Sequence, residues 1–469
     1  MITLTRRTVL AGGSAAILAG AAPALARSRT EADVAIIGAG LAGLHAARLC
    51  EASGLSVVVI EAARRVGGRL HTLRDLPGAP EAGGIQVGAG YLRLRRIAAE
   101  CGINLPEGGG AGAGIADAPG NLYAVNGAVT APGGWPTSAG NSLPDGERAV
   151  EPAAMLRHFA RAFPRLANPS AWLDAPSDTD ISVLDTLRNA GASNEALRLI
   201  AANFNGNGLA TMSQINLART FAIFASQPGP VATIEGGSQR LPEAMAATLR
   251  REVRLGQTIQ GLREEADGVT VQFAGGSLRA AHAICTIPFA ALRYMPLETA
   301  LPPAAARMIA ELPYTRASFA YISASAPFWE SDGLPPTLWT DDPLIGRVFV
   351  LGSDPPMLKL WTTGVGADLL DRMPQKHAAR VIVDRIEALR PSSRGKLKVE
   401  RFYSWQKSPG ARGIYHHIGT GMAADLAATV RHRGKRLHFA GEHMGRATSG
   451  MEAALESAEA AAEAVLSRT

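Results

Sequence analysis

The chain has little of what several protein classes require. Its 469 residues hold three cysteines, Cys50, Cys101 and Cys285, an odd and scattered set with no pair at metal-ligand spacing. A disulfide framework and a structural metal module are therefore not expected, and Cys50 and Cys285 read as buried thiols of a helix and an apolar strand. Long uncharged apolar runs are missing as well: the stretch from Ala11 to Ala22 is too short to cross a bilayer. Lys and Arg number 47 against 41 Asp and Glu, a formal net charge of +6 with no dense basic block, which argues against a nucleic-acid partner. Internal repeats are absent. What the chain does have is length, enough for two or three domains and an ample core.

Asp33 to Glu61, DVAIIGAGLAGLHAARLCEASGLSVVVIE, is the most informative stretch. It reads as an apolar strand, a glycine turn, a helix, a second apolar strand and a terminal acid. The turn runs through Gly38, Ala39, Gly40, Leu41, Ala42 and Gly43, in the order GxGxxG. Gly38 permits the tight turn, Gly40 lets backbone approach a pyrophosphate, and Gly43 lets the helix sit close on the sheet. The helix N-terminus offers unpaired N–H groups and a positive dipole end to phosphates. Glu61 is placed for the ribose hydroxyls of an adenosine. A glycine-rich turn alone can serve packing, but these parts in this order point to a dinucleotide, FAD or NAD.

Beyond Glu61 the chain continues Ala62, Ala63, Arg64, Arg65, Val66, Gly67, Gly68 and Arg69, which resembles the EAxxRxGGR stretch of the flavin-containing amine oxidase family. Near the C-terminus, Leu437 to His443 (LHFAGEH) and Ser449 to Ser457 (SGMEAALES) are similar to the FAGE and GxxEGAxxSG signatures of the same family. Ile234 to Leu241 resembles its GGxxxL turn. The resemblance implies FAD as cofactor. It places Gly84, Ile85 and Gln86 at the flavin edge, the Val253 backbone at the adenine, and Pro288 at the end of a closing strand. Gly441 and Glu442 fall near the ribityl or phosphate region. The helix opening at Gly450, Met451 and Ala454 points its positive end at the isoalloxazine. Arg69 would bring a cation toward the phosphates.

The implied fold is α/β, a GR2-like Rossmann-type FAD-binding domain with an interleaved α+β substrate-binding domain. Residues 31–100, 228–298 and 398–469 are assigned to the first and 101–227 with 299–397 to the second. Within them, Ala153 to Phe163, Ser193 to Ala202 and Leu301 to Leu312 have helical spacing. Thr258 to Val271 reads as a hairpin around Asp267 and Gly268, Ser318 to Ser325 as a strand, and Pro106 to Asp145 as irregular loop. Before them, the paired Arg6 and Arg7, a mild apolar run and the cleavage-like Ala24 to Ala26 read as a twin-arginine signal over residues 1–26. The expected product is a periplasmic or secreted protein with no membrane span after signal removal, and a homodimer is admitted.

The implied reaction is hydride transfer from the α-carbon of an amine or L-amino acid to flavin N5, followed by imine hydrolysis. Two other readings stay open: a C–C desaturase or isomerase of the same fold, and a flavoprotein that binds a partner without catalysis. Tyr415 matches one ring of the family's aromatic cage, whereas Gly450 stands where the second ring would be. No lysine occurs from Ala317 to Ala320, where the family places one near N5 to assist O₂, so a periplasmic carrier such as cytochrome c is an alternative to O₂ as electron acceptor. Lys359 reads as a solvated surface charge. Arg93, Arg95 and Arg96 are candidates for a substrate carboxylate but fit a surface cluster better, and His443 matches the FAGEH of L-amino-acid oxidases.

Ile414 occupies the position of the cysteine that bonds the flavin 8α carbon in monoamine oxidases. Acid precipitation of the purified protein will therefore release yellow FAD into the supernatant. Flavin that remains with the denatured pellet refutes non-covalent binding.

Overall fold

The computed structural model describes residues 30–107 and 120–469. The twin-arginine motif and its cleavage-like site lie outside the described residues.

The stretch opening at Asp33 folds as its pattern requires. Strand Ala32–Ile37 leads through the glycine turn into helix Leu41–Ala52, and strand Val57–Ile60 returns parallel to the first. Successive residues of both strands enter different cores. Val34, Ile36, Val57 and Val59 pack under the helix, while Ala35, Ile37, Val58 and Ile60 pack on the opposite face. Burial on both faces explains why these strands are apolar throughout instead of alternating. Strand Gly276–Cys285 flanks Ala32–Ile37 in parallel and also carries the short strand Leu437–Phe439. The hairpin Ile259–Glu265 and Gly268–Phe273 completes most of this seven-stranded sheet, with Ala266 and Asp267 in its turn. The C-terminal helix Gly450–Leu466 lies beside helix Leu41–Ala52, with small residues such as Ala46, Ala47, Ala458 and Ala462 buried between them.

A second seven-stranded sheet takes, in order, Leu397–Ser404, Ala317–Ala324, Pro356–Thr363, Arg347–Ser353, Leu338–Thr340, Leu122–Val125 and Ala128–Thr130. Its pairings are antiparallel except that between Leu338–Thr340 and Leu122–Val125.

Three expectations need correction. Leu397–Ser404 pairs with Ala317–Ala324 in the second sheet, not the first, because its partly apolar run completes that sheet's edge. Leu122–Thr130 is a hairpin and not irregular loop. Asn126 and Gly127 both have positive φ (48° and 78°), the two-residue turn whose twist matches antiparallel strands. Ala153 to Phe163 is not one helix. It breaks into the 3₁₀ turn Pro152–Ala154, a single α turn Met155–His158 and the 3₁₀ turn Ala160–Ala162. Pro164 holds Phe163 extended (ψ 148°), which ends the segment before a full helix can form.

The two inner glycines of the turn make different demands. A Cβ on Gly43 would overlap the Gly38 carbonyl oxygen, whereas one on Gly40 would meet nothing nearer than the Gly67 oxygen at 4.0 Å. Gly43→Val will therefore push the helix off its strand and cost about 3 kcal/mol or more of stability, since the obstacle is backbone. Gly40→Val will stay folded. Thermal unfolding of both variants stripped of cofactor decides this, and equal losses would overturn the assignment.

Candidate active site

A cavity of about 860 Å³ runs between the two sheets. The carboxyl ends of three parallel strands open onto it, at Gly38, Glu61 and Thr286, which is where open α/β sheets bind ligands. Two helix N-termini also reach it, at Gly40 to Ala42 and at Gly450 and Met451, and neither has a side-chain cap. Their backbone donors and dipoles thus face the cavity.

The dinucleotide-binding features fit together physically. Gly38 has φ 102°, and the Thr286 hydroxyl donates to the Ile37 carbonyl at 2.8 Å behind it. Gly68 (φ 56°) faces Gly40 so closely that a Cβ on Gly68 would lie 3.5 Å from the Gly40 Cα. A narrow backbone-lined slot results, of the kind a pyrophosphate needs and any side chain would fill. Arg65 holds its rim, donating to the carbonyls of Val66, Leu70 and Gly68 at 3.2, 3.1 and 2.7 Å. Glu61 accepts from the Ala39 and Ala63 amides, each at 2.8 Å, and lines the wall beside Ala62. These residues fit FAD.

Of the sequence candidates, Gly38, Gly40, Leu41, Ala42, Glu61, Ala62, Gly68, Arg69, Gly84, Ile85, Gln86, Pro288, Tyr415, Gly441, Glu442, Gly450, Met451 and Ala454 line the cavity. Gly43, Arg64 and Val253 do not. Gly43 is packed against the strand, Arg64 is exposed while its neighbour Arg65 faces inward, and Val253 packs into the core beneath the first helix.

Part of the wall is a charge network. Arg69 donates through Nη1 to Glu442 Oε1 at 2.8 Å and to the Ile414 carbonyl at 3.0 Å. The same carboxylate accepts the His416 amide at 3.0 Å and bonds His416 Nδ1 at 2.6 Å. Burial alone would raise the Glu442 carboxyl, but the adjoining His416 and Arg69 outweigh it and hold it well below the usual carboxylate range. Arg69 thus spends Nη1 on the protein, while the residue itself lines the cavity. Arg219, fully enclosed against Trp172, donates to the carbonyls of Gly445 and Thr448 at 3.0 and 2.7 Å, so it shapes the loop leading into Gly450. Neither Arg219 nor His416 carried a motif that could have marked it.

The far end of the cavity comes from the second sheet. Phe319 and Trp361 pack there with centroids 4.6 Å apart and planes tilted by 40°, near Tyr415, Phe349, Arg347 and Asn205. Burial pushes the Tyr415 hydroxyl up to about 12, against the opposing pull of Arg347. Gly450 (φ 58°) leaves its side-chain position empty, and the Tyr91 hydroxyl approaches it: it would lie 3.1 Å from a Gly450 Cβ. Tyr91 comes from a different element, the residue before helix Leu92–Glu100, and its ring packs on Gly88.

Lys359 is not a surface charge. It is 2 % exposed, opposite Tyr321 in the neighbouring strand, with Nζ donating to the Glu81 carbonyl at 2.8 Å. The ammonium lies 4.1 Å from the Phe319 ring centroid, and burial lowers its pKa to about 7. The available signal was its place between Met357 and Trp361, the apolar residues two positions either side that share its face of the strand. Arg93 and Arg96 pair with Glu452, Glu459 and Glu100, and Arg95 donates to the Gly88 carbonyl. None of the three lines the cavity. His443 is buried against Phe289, centroids 4.3 Å apart, and burial depresses its pKa to about 3.

Comparison with known proteins agrees with this geometry. The flavin-dependent L-tryptophan oxidase RebO of Lentzea aerocolonigenes is 27% identical over 497 aligned residues, covering 93% of this chain and 98% of its own. The L-amino-acid oxidase of Siganus canaliculatus is 24% identical, over 94% of this chain and 86% of that one. Among solved structures, cyclohexylamine oxidase from Brevibacterium oxydans IH-35A superposes with a TM-score of 0.77 at 22% identity, covering 93% and 99% of the two chains, and so shares the fold. The family model for flavin-containing amine oxidoreductases matches residues 41–466. The chain belongs to that family.

Proposed function

We propose that this FAD-dependent oxidoreductase oxidises the carbon–nitrogen bond of an amine or L-amino acid. The observation that carries the reading is one continuous cavity. At one end it offers a phosphate slot between Gly40 and Gly68, and at the other an aromatic chamber around Tyr415, Phe319 and Trp361. FAD, when bound, supplies the two-electron acceptor for this chemistry. The residues supply the rest. Helix N-termini at Gly40 and Gly450 favour negative charge at the two ends of the cofactor. The Glu442, Arg69 and His416 network holds the wall between them. The aromatic chamber excludes water and orients the substrate.

The domain assignment is part of the same reading: the first sheet serves the cofactor and the second the substrate. Export is proposed from Arg6, Arg7 and the cleavage-like Ala24 to Ala26, by the twin-arginine route that carries folded, cofactor-loaded proteins.

Two tests address this reading. Gly40→Val will purify colourless or lose its flavin easily, because a branched side chain occupies the slot; a fully loaded, normally active variant overturns the cofactor assignment. Anaerobic addition of amines and L-amino acids to the wild-type protein will bleach the visible flavin band with release of ammonia or amine. A panel in which nothing bleaches it favours the desaturase or binding readings.

The electron acceptor follows from the strand position where the family places a lysine beside N5, two strands away from the chamber's own arginine, Arg347. Ala317 to Ala320 offer none, and Lys359 lies behind Phe319, bonded to the Glu81 carbonyl and only partly protonated near neutral pH. A fixed cation lowers the barrier to O₂ reduction, and about 1.4 kcal/mol is worth tenfold in rate. Substrate will therefore bleach the flavin faster than air restores it, and a dye or c-type cytochrome will accelerate turnover beyond O₂ alone. Stopped-flow reoxidation in air-saturated buffer checks this; recovery as fast as bleaching shows an oxidase.

A further inference from the structure

Arg347 is the cavity's unusual residue. It stands in strand Arg347–Ser353, directly after Gly346, whose left-handed backbone (φ 55°) turns the chain into the sheet. The side chain lines the chamber with Asn205 and Tyr415. Its Nη2 donates to Asn205 Oδ1 at 2.9 Å, and the guanidinium lies 5.5 Å from the centroid of the Phe349 ring. The buried Nε has no hydrogen-bond partner, and no carboxylate among the described residues pairs with it.

The protein's own groups compensate that guanidinium poorly. A guanidinium stays charged in any accessible pH range and carries five N–H donors. Half-buried without a counter-ion, and with its Nε fully covered, it loses hydration that a single amide and a ring face do not replace. The other cavity-lining arginines are satisfied differently. Arg69 is paired with Glu442, Arg65 is capped by three carbonyls, and Arg412 stacks on Tyr294 with its guanidinium 4.2 Å from the ring centroid. Arg347 is the one that reaches the cavity from the second sheet, beside Tyr415, and the donors its Asn205 bond leaves over form a fork that matches the two oxygens of a carboxylate.

We propose that Arg347 is the specificity-determining residue of the chamber and anchors a carboxylate of the substrate, making the preferred substrate an amine that carries a carboxylate rather than a simple amine or diamine. The inference rests on the amine-oxidation reading above. It also accounts for what the chamber lacks. Glu61 lies at the adenosine end and Glu442 is neutralised by Arg69, so neither acid is free to receive a second ammonium. A diamine would bring its distal cation toward Arg347 and be repelled.

The test uses the FAD-loaded protein and pairs of compounds that differ only in the carboxylate: L-phenylalanine with phenethylamine, L-tryptophan with tryptamine, and L-lysine with cadaverine. In the wild type, the acid of at least one pair will bleach the flavin with the higher kcat/KM. In Arg347→Met the acid-to-amine ratio will fall by about a hundredfold, the scale of losing a charge-assisted bidentate contact, mostly through KM. Arg347→Lys will recover part of it, because a point charge replaces the charge but not the fork. Flavin content and melting temperature, unchanged from the wild type, separate this from misfolding. Titration with phenylacetate gives a second readout: it will perturb the flavin spectrum of the wild type and not of Arg347→Met, whereas neutral phenylacetamide will perturb neither strongly. If amines bleach as well as acids and Arg347→Met leaves the ratio unchanged, the anchor is wrong and the amine-oxidation reading survives. If nothing bleaches but phenylacetate binds through Arg347, the anion site stands and the oxidation reading falls. If neither occurs, both fall.

Discussion

The Glu442 carboxylate is the contact on which the site depends. It is 6 % exposed, and a charge so placed is tolerated only when its lone pairs are used. Here they are, by Arg69 and by the backbone and ring of His416. Those partners come from segments hundreds of positions apart in the chain. One anion therefore ties the glycine-rich loop after the second strand, the segment carrying Tyr415 and the approach to the C-terminal helix into one wall. Arg219 extends the same logic, holding the carbonyls of Gly445 and Thr448 so that Gly450 presents its helix end to the cavity.

Two sheets with different duties meet at this wall. The first is parallel at its centre and buried on both faces, so its strand ends are rigid and its helix dipoles are aimed. The second is largely antiparallel and contributes side chains instead of backbone: Phe319, Trp361, Phe349 and Arg347 all reach the chamber from its strands. Backbone recognition suits a cofactor that every family member shares. Side-chain recognition suits a substrate that changes from one relative to the next, because a single replacement alters the chamber without disturbing the sheet.

Gly450 gives up the ring expected at its position, and Tyr91 approaches the vacated volume from the loop before helix Leu92–Glu100. Phe319 stands at the strand position facing the chamber, and the Lys359 ammonium sits one strand over on the same face of the sheet, against that ring. The ring screens it from the cavity, and the low-dielectric surroundings favour its neutral form.

By itself the sequence determined the cofactor half. Its recognition is local: Gly38, Gly40 and Gly43 act through backbone conformation within six residues, Glu61 follows at the end of the adjoining strand, and strand and helix periodicities are written in consecutive residues. Local devices leave local signatures. The substrate half was decided by tertiary structure, because its residues come from separate strands and share no spacing. Arg347 reads as one arginine among many until the sheet register places it beside Tyr415, and Lys359 reads as surface until neighbouring strands close over it. Arg93 and Arg96, which sequence position made candidates, are engaged by Glu452 and Glu459 of a helix more than three hundred residues away. Which charges are paired and which face a cavity depends on contacts between distant segments, and only the packed fold specifies those.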